Sequence, residues 1–378
     1  MTEPAISTDL TSRRLLSLDA LRGFDMFWII GGDALFRKLA SVTDWRWADV
    51  VAGQLTHVDW EGLRAYDMIF PLFMFMSGVA IPYAFGSRRK RGATRGDILK
   101  KVFIRAVVLV LLGLICNGLL KFQFSTLRYP SVLGQIGLAY LFASLITVFF
   151  ESFRARMMWL VGLLAGYAAV QLFVPVPGFG MGDLTKEGII NGYIDRMLLP
   201  GRLYGKVDGV QTFDPEGLLC IVSATGITLM GTLAGSVLRD GVGSGMRKAM
   251  TLAVAGALTL GLGLAIAPWY PPIKAAWTTT FNLQAGGISL MLLALFYLVI
   301  DVWGFSRWSF FFRVIGLNAI TIYMAPRLIN FPHAAAFLFT GIATLVGVYG
   351  PVLMIAGSIG IKWLFLWFLY RRKIFLRV

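Results

Sequence analysis

Charge, histidine and cysteine are all scarce in this chain. Charged residues make up 15% of it, and acids are the rarer sign, 20 Asp and Glu against 35 Lys and Arg. There are two cysteines, Cys116 and Cys220, and two histidines, His57 and His333. Both cysteines lie in apolar runs without the close spacing of a thiolate site, so neither a disulfide framework nor a zinc ribbon is indicated. Two histidines far apart in sequence make no metal cage, and no metal is expected. There is no HExxH, Walker loop, GxSxG or paired-cysteine motif, which removes support for zinc proteases, ATP-driven pumps and serine hydrolases of those types. No cleavable signal peptide is expected, because the N-terminus is polar and its first apolar run already holds Asp19, Arg22 and Asp25.

What is abundant is apolar sequence. Hydrophobic residues account for 57% of the 378 residues, and the mean hydropathy is +0.72, too apolar for a soluble domain of that length. Runs of about 20 apolar residues, enough to cross a hydrocarbon core as a helix, recur from end to end. Helices are the default, because an open sheet cannot satisfy its backbone in lipid. The expected fold is an all-α polytopic membrane protein, a single transmembrane domain over residues 1–378 with about ten spanning helices. The spans are placed near 18–37, 67–85, 102–120, 131–150, 157–173, 216–238, 249–267, 277–301, 308–325 and 351–370. The apolar segment 334–348 is short for a crossing and is expected to be a re-entrant or interfacial helix.

Basic residues set the orientation, since short loops rich in Lys and Arg stay cytoplasmic. Arg13 and Arg14, the cluster from Arg88 to Lys101, Arg154 with Arg156, Arg239 with Arg247 and Lys248, and Arg307 with Arg313 fall on one side. The basic tail 371–378 requires the same side, so both termini, including segment 1–16, are expected in the cytoplasm. The net charge of +15 is assigned to this topology and to anionic lipid; no nucleic-acid partner is called for, and the same cations could serve an anionic cytosolic ligand. Residues 174–215, punctuated by Pro175, Pro177 and many glycines, read as an extracytoplasmic loop or lid.

Charge inside the spans is the chemical signal. Asp19, Arg22, Asp25 and Asp33 fall within a stripe of roughly 120° on one helix face. An ionisable group in a span costs about 2.5–3.5 kcal/mol on insertion scales, so it usually faces a partner or a cavity. Arg22 can simply pair with Asp19 or Asp25; Asp33 lies about 16 Å further along the helix, in the half that His57 approaches. At Asp214-Pro215-Glu216 two carboxylates meet the start of a span, with Asp214 placed as N-cap, Pro215 at the first helical position and Glu216 in the first turn. Lys362, inside the last span, either snorkels to the inner surface or meets an anionic ligand there.

Ser17-Leu-Asp19-Ala-Leu-Arg22-Gly23, then His57-Val-Asp59-Trp60-Glu61-Gly62-Leu63 and Asp67-Met-Ile-Phe70-Pro71, resemble the heparan-alpha-glucosaminide N-acetyltransferase family of transmembrane acyltransferases. Later landmarks follow in order: Arg128-Tyr-Pro130 through Gln135, Asp214-Pro-Glu216-Gly217, Trp277-Thr-Thr-Thr-Phe281, Gly316-Leu-Asn318 and Tyr370 to Phe375. The resemblance implies a membrane acetyltransferase, a homodimer in a bacterial cytoplasmic (inner) membrane, that takes acetyl-CoA from the cytosol and acetylates an amino-sugar acceptor of the glucosamine type on the far side. The family's catalytic histidine matches His57. A family asparagine matches Asp33, a departure, because an ionised carboxylate accepts hydrogen bonds but donates none.

On that reading His57, Asp33 and Asp67 are the catalytic candidates. Trp60, Glu61, Arg128, Asp214, Glu216, Trp277 and Asn318 are candidates for the acceptor, and Arg22, Arg105, Arg247, Arg313 and Lys362 for the CoA phosphates. The chemistry is consistent: an amine attacking a thioester must lose a proton, and an imidazole is suited to take it. His57 could instead be the nucleophile, giving an acyl-enzyme. Asp67 could orient the imidazole, bind the sugar, or only start a helix. An amino-sugar transporter, an O-acyltransferase of envelope glycans and a non-catalytic membrane subunit are the competing classes.

Overall fold

The computed structural model describes residues 15–376. Arg13, Arg14, most of segment 1–16 and the end of the basic tail lie outside the described residues. The chain is a bundle of helices whose long members run antiparallel between two ends: one carrying the His57 loop, the other the basic turns.

In chain order the helices are α1 (Leu16–Phe27), α2 (Asp33–Val42), α3 (Arg46–Gln54), α4 (Ile69–Lys90), α5 (Arg95–Cys116), α6 (Val132–Phe149), α7 (Phe153–Phe173) and α8 (Ile190–Leu198). After a small hairpin, β1 (Gly205–Val207) and β2 (Val210–Phe213), come α9 (Leu218–Asp240), α10 (Gly245–Ile266), α11 (Thr279–Tyr297), α12 (Phe310–Leu317), α13 (Ala319–Met324), α14 (Phe331–Leu345) and α15 (Gly350–Arg371). Among the described residues seven helices are long and apolar enough to cross a membrane, and an eighth crossing results if Ala319–Arg327 and Phe331–Leu345, bent by 80°, act as one broken span. This is an α-helical polytopic membrane protein.

Burial ranks the helices from centre to rim. In α4 and α9, 72% and 78% of the apolar window is buried, against 28%, 22% and 17% in α7, α10 and α15, so the first two form the centre and the last three face outward. The centre is close-packed because glycines let backbones touch. A Cβ on Gly78 of α4 would sit inside the carbonyl of Thr228, and one on Gly231 of α9 inside that of Phe75. Gly23 and Gly316 do the same for α1 against α12. Small residues at helix contacts are the usual means of close approach where lipid supplies no hydrophobic drive.

The structure revises three expectations. First, the stripe on the first span does not stay on one face. Residues Trp28–Gly32 form a π-helical turn with Gly31 at φ 131°, which shifts the register between α1 and α2. Second, the loop 174–215 holds α8 and the antiparallel β1–β2 hairpin, a small strand element in a fold read as all-α. Third, the N-cap position of α9 is Gly217, and Asp214 does not cap it. Asp195 of α8 reaches across to accept from the N–H groups of Leu218 (3.0 Å) and Asp214 (3.3 Å). A donor group at a helix start takes whichever acceptor lies nearest in space, and local sequence cannot identify one 23 residues away.

Gly78→Ala is expected to force α4 and α9 apart and lower stability by about 1–3 kcal/mol, read as a lower melting temperature of the purified protein in detergent. Gly261→Ala, where an added Cβ meets nothing within 4 Å, is expected to be neutral or slightly stabilising.

Candidate active site

The loop between α3 and α4 carries His57 to one end of the bundle, and the start of α4 supplies its partner. His57 Nδ1 lies 2.6 Å from Asp67 Oδ1. Asp67 is 1% exposed, and its other oxygen accepts from the backbone N–H of Arg64 at 3.1 Å and Val58 at 3.4 Å. One carboxylate therefore closes the turn that starts the helix and also fixes the ring. An ionised carboxylate only accepts, so the proton between the two sits on Nδ1, leaving Nε2 as the basic nitrogen.

A second ion completes the group. Lys274, from the short loop before α11, places Nζ 3.2 Å from Asp67 Oδ1 and 3.1 Å from His57 Nδ1. Burial pulls its ammonium below the usual lysine range, while the Asp67 carboxylate works in the opposite direction. Sequence reading passed over Lys274; its one signal was a single cation in an otherwise apolar turn, Pro271 to Trp277. Arg64 braces the loop, donating to Thr56 Oγ1 (2.6 Å) and to the His57 carbonyl (3.3 Å). Tyr66 packs on the imidazole with ring centroids 4.7 Å apart.

Asp33 is brought near this group but not onto His57. Its carboxylate pairs with Arg37 at 2.6 Å, while Tyr66, whose ring packs on the imidazole, lies close enough to feel its charge. Asp33 is absent from the wall of the cavity that His57 faces.

That cavity, about 230 Å³, is lined by His57, Tyr66, Lys274 and Glu216 at its polar end and by Phe70, Phe73 and Tyr323 below. A second cavity of about 760 Å³ opens from the other end of the bundle and is lined by Arg22, Arg105, Lys90 and Arg91, with Ser77, Tyr83 and Ser87. Phe73, Leu133, Ile136, Ala319 and Ile320 belong to both walls. The two cavities thus lie back to back across these apolar side chains, which form a neck between them, one with an imidazole in its wall and the other with four cations.

The remaining candidates divide between these places. Glu216 lines the His57 cavity and pairs with Arg128, whose guanidinium also holds Asp214 through Nε (2.8 Å) and Nη2 (2.5 Å). Trp277, 1% exposed, packs on Phe70 of the cavity wall and donates to the Pro215 carbonyl. Trp60 donates to the Leu184 carbonyl and packs on Phe213, and Glu61 forms a bridge with Ile273; both fasten the His57 loop to its surroundings. Asn318 lies at the opposite cavity, where its side chain bonds the Ile374 carbonyl and the Leu376 N–H. Of the five cations proposed for phosphates, Arg22 and Arg105 line the larger cavity. Arg247, Arg313 and Lys362 do not; Lys362 donates instead to the Ile30 carbonyl beside the π turn. Lys90 and Arg91, from the basic cluster that sets the topology and that could also serve an anionic ligand, line it too. Among the described residues no three His, Cys, Asp or Glu side chains gather as a metal cage.

Fold and site together define a polytopic helical membrane protein with a histidine–carboxylate–lysine group above a cavity that an apolar neck separates from a basic vestibule. The chain is similar to heparan-alpha-glucosaminide N-acetyltransferase of Mus musculus, 27% identical over 325 residues that cover 72% of this chain and 49% of the relative. It is also similar to the Homo sapiens protein of that name, 26% identical over 322 residues, 71% of this chain and 48% of the relative. The chain spans about half the length of the curated relatives it matches. No protein-family model matches it.

The buried carboxylate that organises the loop over this end gives a pH prediction. Burial, with help from neighbouring Asp214, pushes Asp195 up to about 7, against the backbone N–H groups of Leu218 and Asp214 and the charge of Arg196. Between its ordinary 3.8 and about 7, the folded chain holds a proton that the unfolded chain releases. Stability from this group is therefore full below about pH 4 and is lost as pH rises through about 7. The melting temperature is expected to fall across that window, and Asp195→Asn to flatten the fall.

Proposed function

We propose that the protein is a transmembrane N-acetyltransferase that passes an acetyl group from acetyl-CoA to the amine of a glucosamine-type amino sugar. The observation that carries this reading is the pair of cavities lying back to back across an apolar neck, with His57 in the wall of one and Arg22, Arg105, Lys90 and Arg91 around the other. The dimensions and chemistry suit a donor with a polyanionic head and a long, thin, largely apolar arm. The head fits the basic vestibule, where Arg105 Nε is buried without a partner and guanidinium groups are apt for phosphate. The arm fits the neck, and the thioester reaches the His57 cavity. The names of the two relatives support the choice of acetyl group and sugar amine.

In this mechanism Asp67 holds His57 so that Nε2 faces the cavity. Nε2 accepts a proton from the acceptor amine as its nitrogen attacks the thioester carbon; the new C–N bond forms, the C–S bond breaks, and the thiolate takes up a proton. Lys274 keeps Asp67 ionised and adds positive charge where the carbonyl oxygen gains negative charge. Glu216, on the same wall, offers an acceptor for the ammonium or hydroxyl groups of the sugar. The reading places the basic vestibule in the cytosol and the His57 end outside, the orientation expected from the basic loops, in a bacterial cytoplasmic membrane.

Two cavities on opposite sides of one apolar neck also suit an amino-sugar transporter, and one assay separates the two. With acetyl-labelled acetyl-CoA on the vestibule side of proteoliposomes and glucosamine on the other, labelled N-acetylglucosamine is expected. His57→Ala is expected to lower the rate about 10²–10⁴-fold, and Asp67→Asn to lower it in the same direction. Transfer at wild-type rate by a folded His57→Ala protein removes the proposal, and movement of unmodified glucosamine without acetyl-CoA replaces it with the transporter.

A further inference from the structure

Away from both cavities, the basic end of the bundle carries a polar recess of about 250 Å³ between α4, α6, α7 and α9. Its wall includes Arg89, Glu151, Arg156, Ser236, Arg239 and Asp240. The carboxylates here are already committed. Glu151 pairs with Arg89 at 3.0 Å and Arg95 at 2.9 Å, and Asp240 pairs with Arg239 at 2.7 Å. The two guanidinium groups on Glu151 hold its carboxyl below the usual range, so it remains a spent anion near neutral pH. Three guanidinium groups in the wall against two carboxylates, one of them also paired with Arg95 outside it, leave the recess positive.

Arg156 is the unbalanced member. It is 8% exposed, yet among the described residues no carboxylate pairs with it. Nη1 donates to Ser236 Oγ at 2.9 Å and Nη2 to the Glu151 carbonyl at 3.2 Å, while Nε is buried with no partner at all. A buried cation with no carboxylate in contact, Asp240 acting on it only at longer range, and an incomplete set of hydrogen bonds is costly. An anion seated in the recess would supply both.

The surroundings say which anion. Immediately outside, on the face of α7, runs an apolar groove lined by Phe150, Ala155, Met158, Trp159, Gly162 and Leu163. Groove and recess share the α6–α7 turn: Phe150 adjoins Glu151, and Ala155 adjoins Arg156. The groove is floored at Gly162, whose missing Cβ would meet nothing within 4 Å, and extends about 9 Å along the helix from Arg156. Met158 is 69% exposed, and α7 as a whole is one of the helices facing outward.

We infer that this recess and groove form a binding site for an anionic phospholipid, the phosphate among Arg156, Arg89 and Arg239 and an acyl chain along Phe150, Met158 and Trp159. A phosphate is matched by guanidinium donors and the chain by the apolar groove that begins beside them. The site is separate from the acetyl-transfer path and does not depend on that reading.

The test uses the full chain, stripped of lipid in neutral detergent, with phosphatidylglycerol, phosphatidylcholine or inorganic phosphate added, read by native mass spectrometry and by melting temperature. Phosphatidylglycerol is expected to stay bound and raise the melting temperature, with neither effect from equal concentrations of the other two. Arg156→Gln is expected to weaken phosphatidylglycerol about tenfold, the loss of one charge-assisted contact. Should that buried substitution prevent folding, Arg89→Gln, at a side chain 42% exposed, is expected to weaken binding in the same direction. Equal retention of phosphatidylcholine overturns the proposal. So does an equal effect of inorganic phosphate, which would make the ligand a soluble anion, or an unchanged phosphatidylglycerol affinity in whichever variant folds.

Discussion

The buried carboxylate of Asp67 is the interaction on which the His57 end of the molecule depends. It is a fixed negative charge at the mouth of an apolar helix, and such a charge is tolerable only when surrounded by donors. His57, Lys274 and the backbone of Arg64 and Val58 supply them. Meeting that requirement sets the ring orientation, ties the loop before α4 to the loop before α11, and starts α4 itself. The arrangement that satisfies the ion also sets the imidazole in the wall of a cavity.

Charge is distributed over the bundle by the same logic. Arg128 answers Asp214 and Glu216 beside the His57 cavity, and Asp195 answers the free N–H groups that begin α9. At the other end, basic side chains gather around both the larger cavity and the α6–α7 turn. One end is therefore internally compensated and the other presents positive charge, an asymmetry suited to an anionic donor and an anionic leaflet arriving from the same side. Between the ends the bundle is apolar and closely packed, with glycines such as Gly78 and Gly231 allowing backbones to touch.

Much of this was legible along the chain. Among the described residues, seven of the ten expected spans are helices long and apolar enough to cross, because apolar runs of spanning length have few other stable forms in lipid; 18–37, 102–120 and 308–325 are helical but interrupted or too charged to count among them. His57 stood out as one of two histidines, placed between a polar loop and an apolar helix, and Asp67 stood ten residues beyond it. Arg22 and Arg105 were picked by side and depth and do line the basic cavity. Lys274 was not picked, because its partners are 217 and 207 residues away and nothing local distinguishes it from a surface lysine. Asp33 is expected in the half of the bundle that His57 approaches; its carboxylate pairs with Arg37, one turn further along α2, a partner the helical spacing alone makes available.

The amino-acid sequence by itself determined the solvent of this protein, its helical class and the residue types available for chemistry, since those follow from composition, run length and the cost of ions in lipid. Only the tertiary structure decided which ions meet. Pairing of Asp67 with Lys274, of Asp195 with the start of α9, and of Arg156 with Ser236 is set by how helices distant in sequence pack side by side. Electrostatic and hydrogen-bond energies act over a few ångströms of space and are indifferent to separation along the chain.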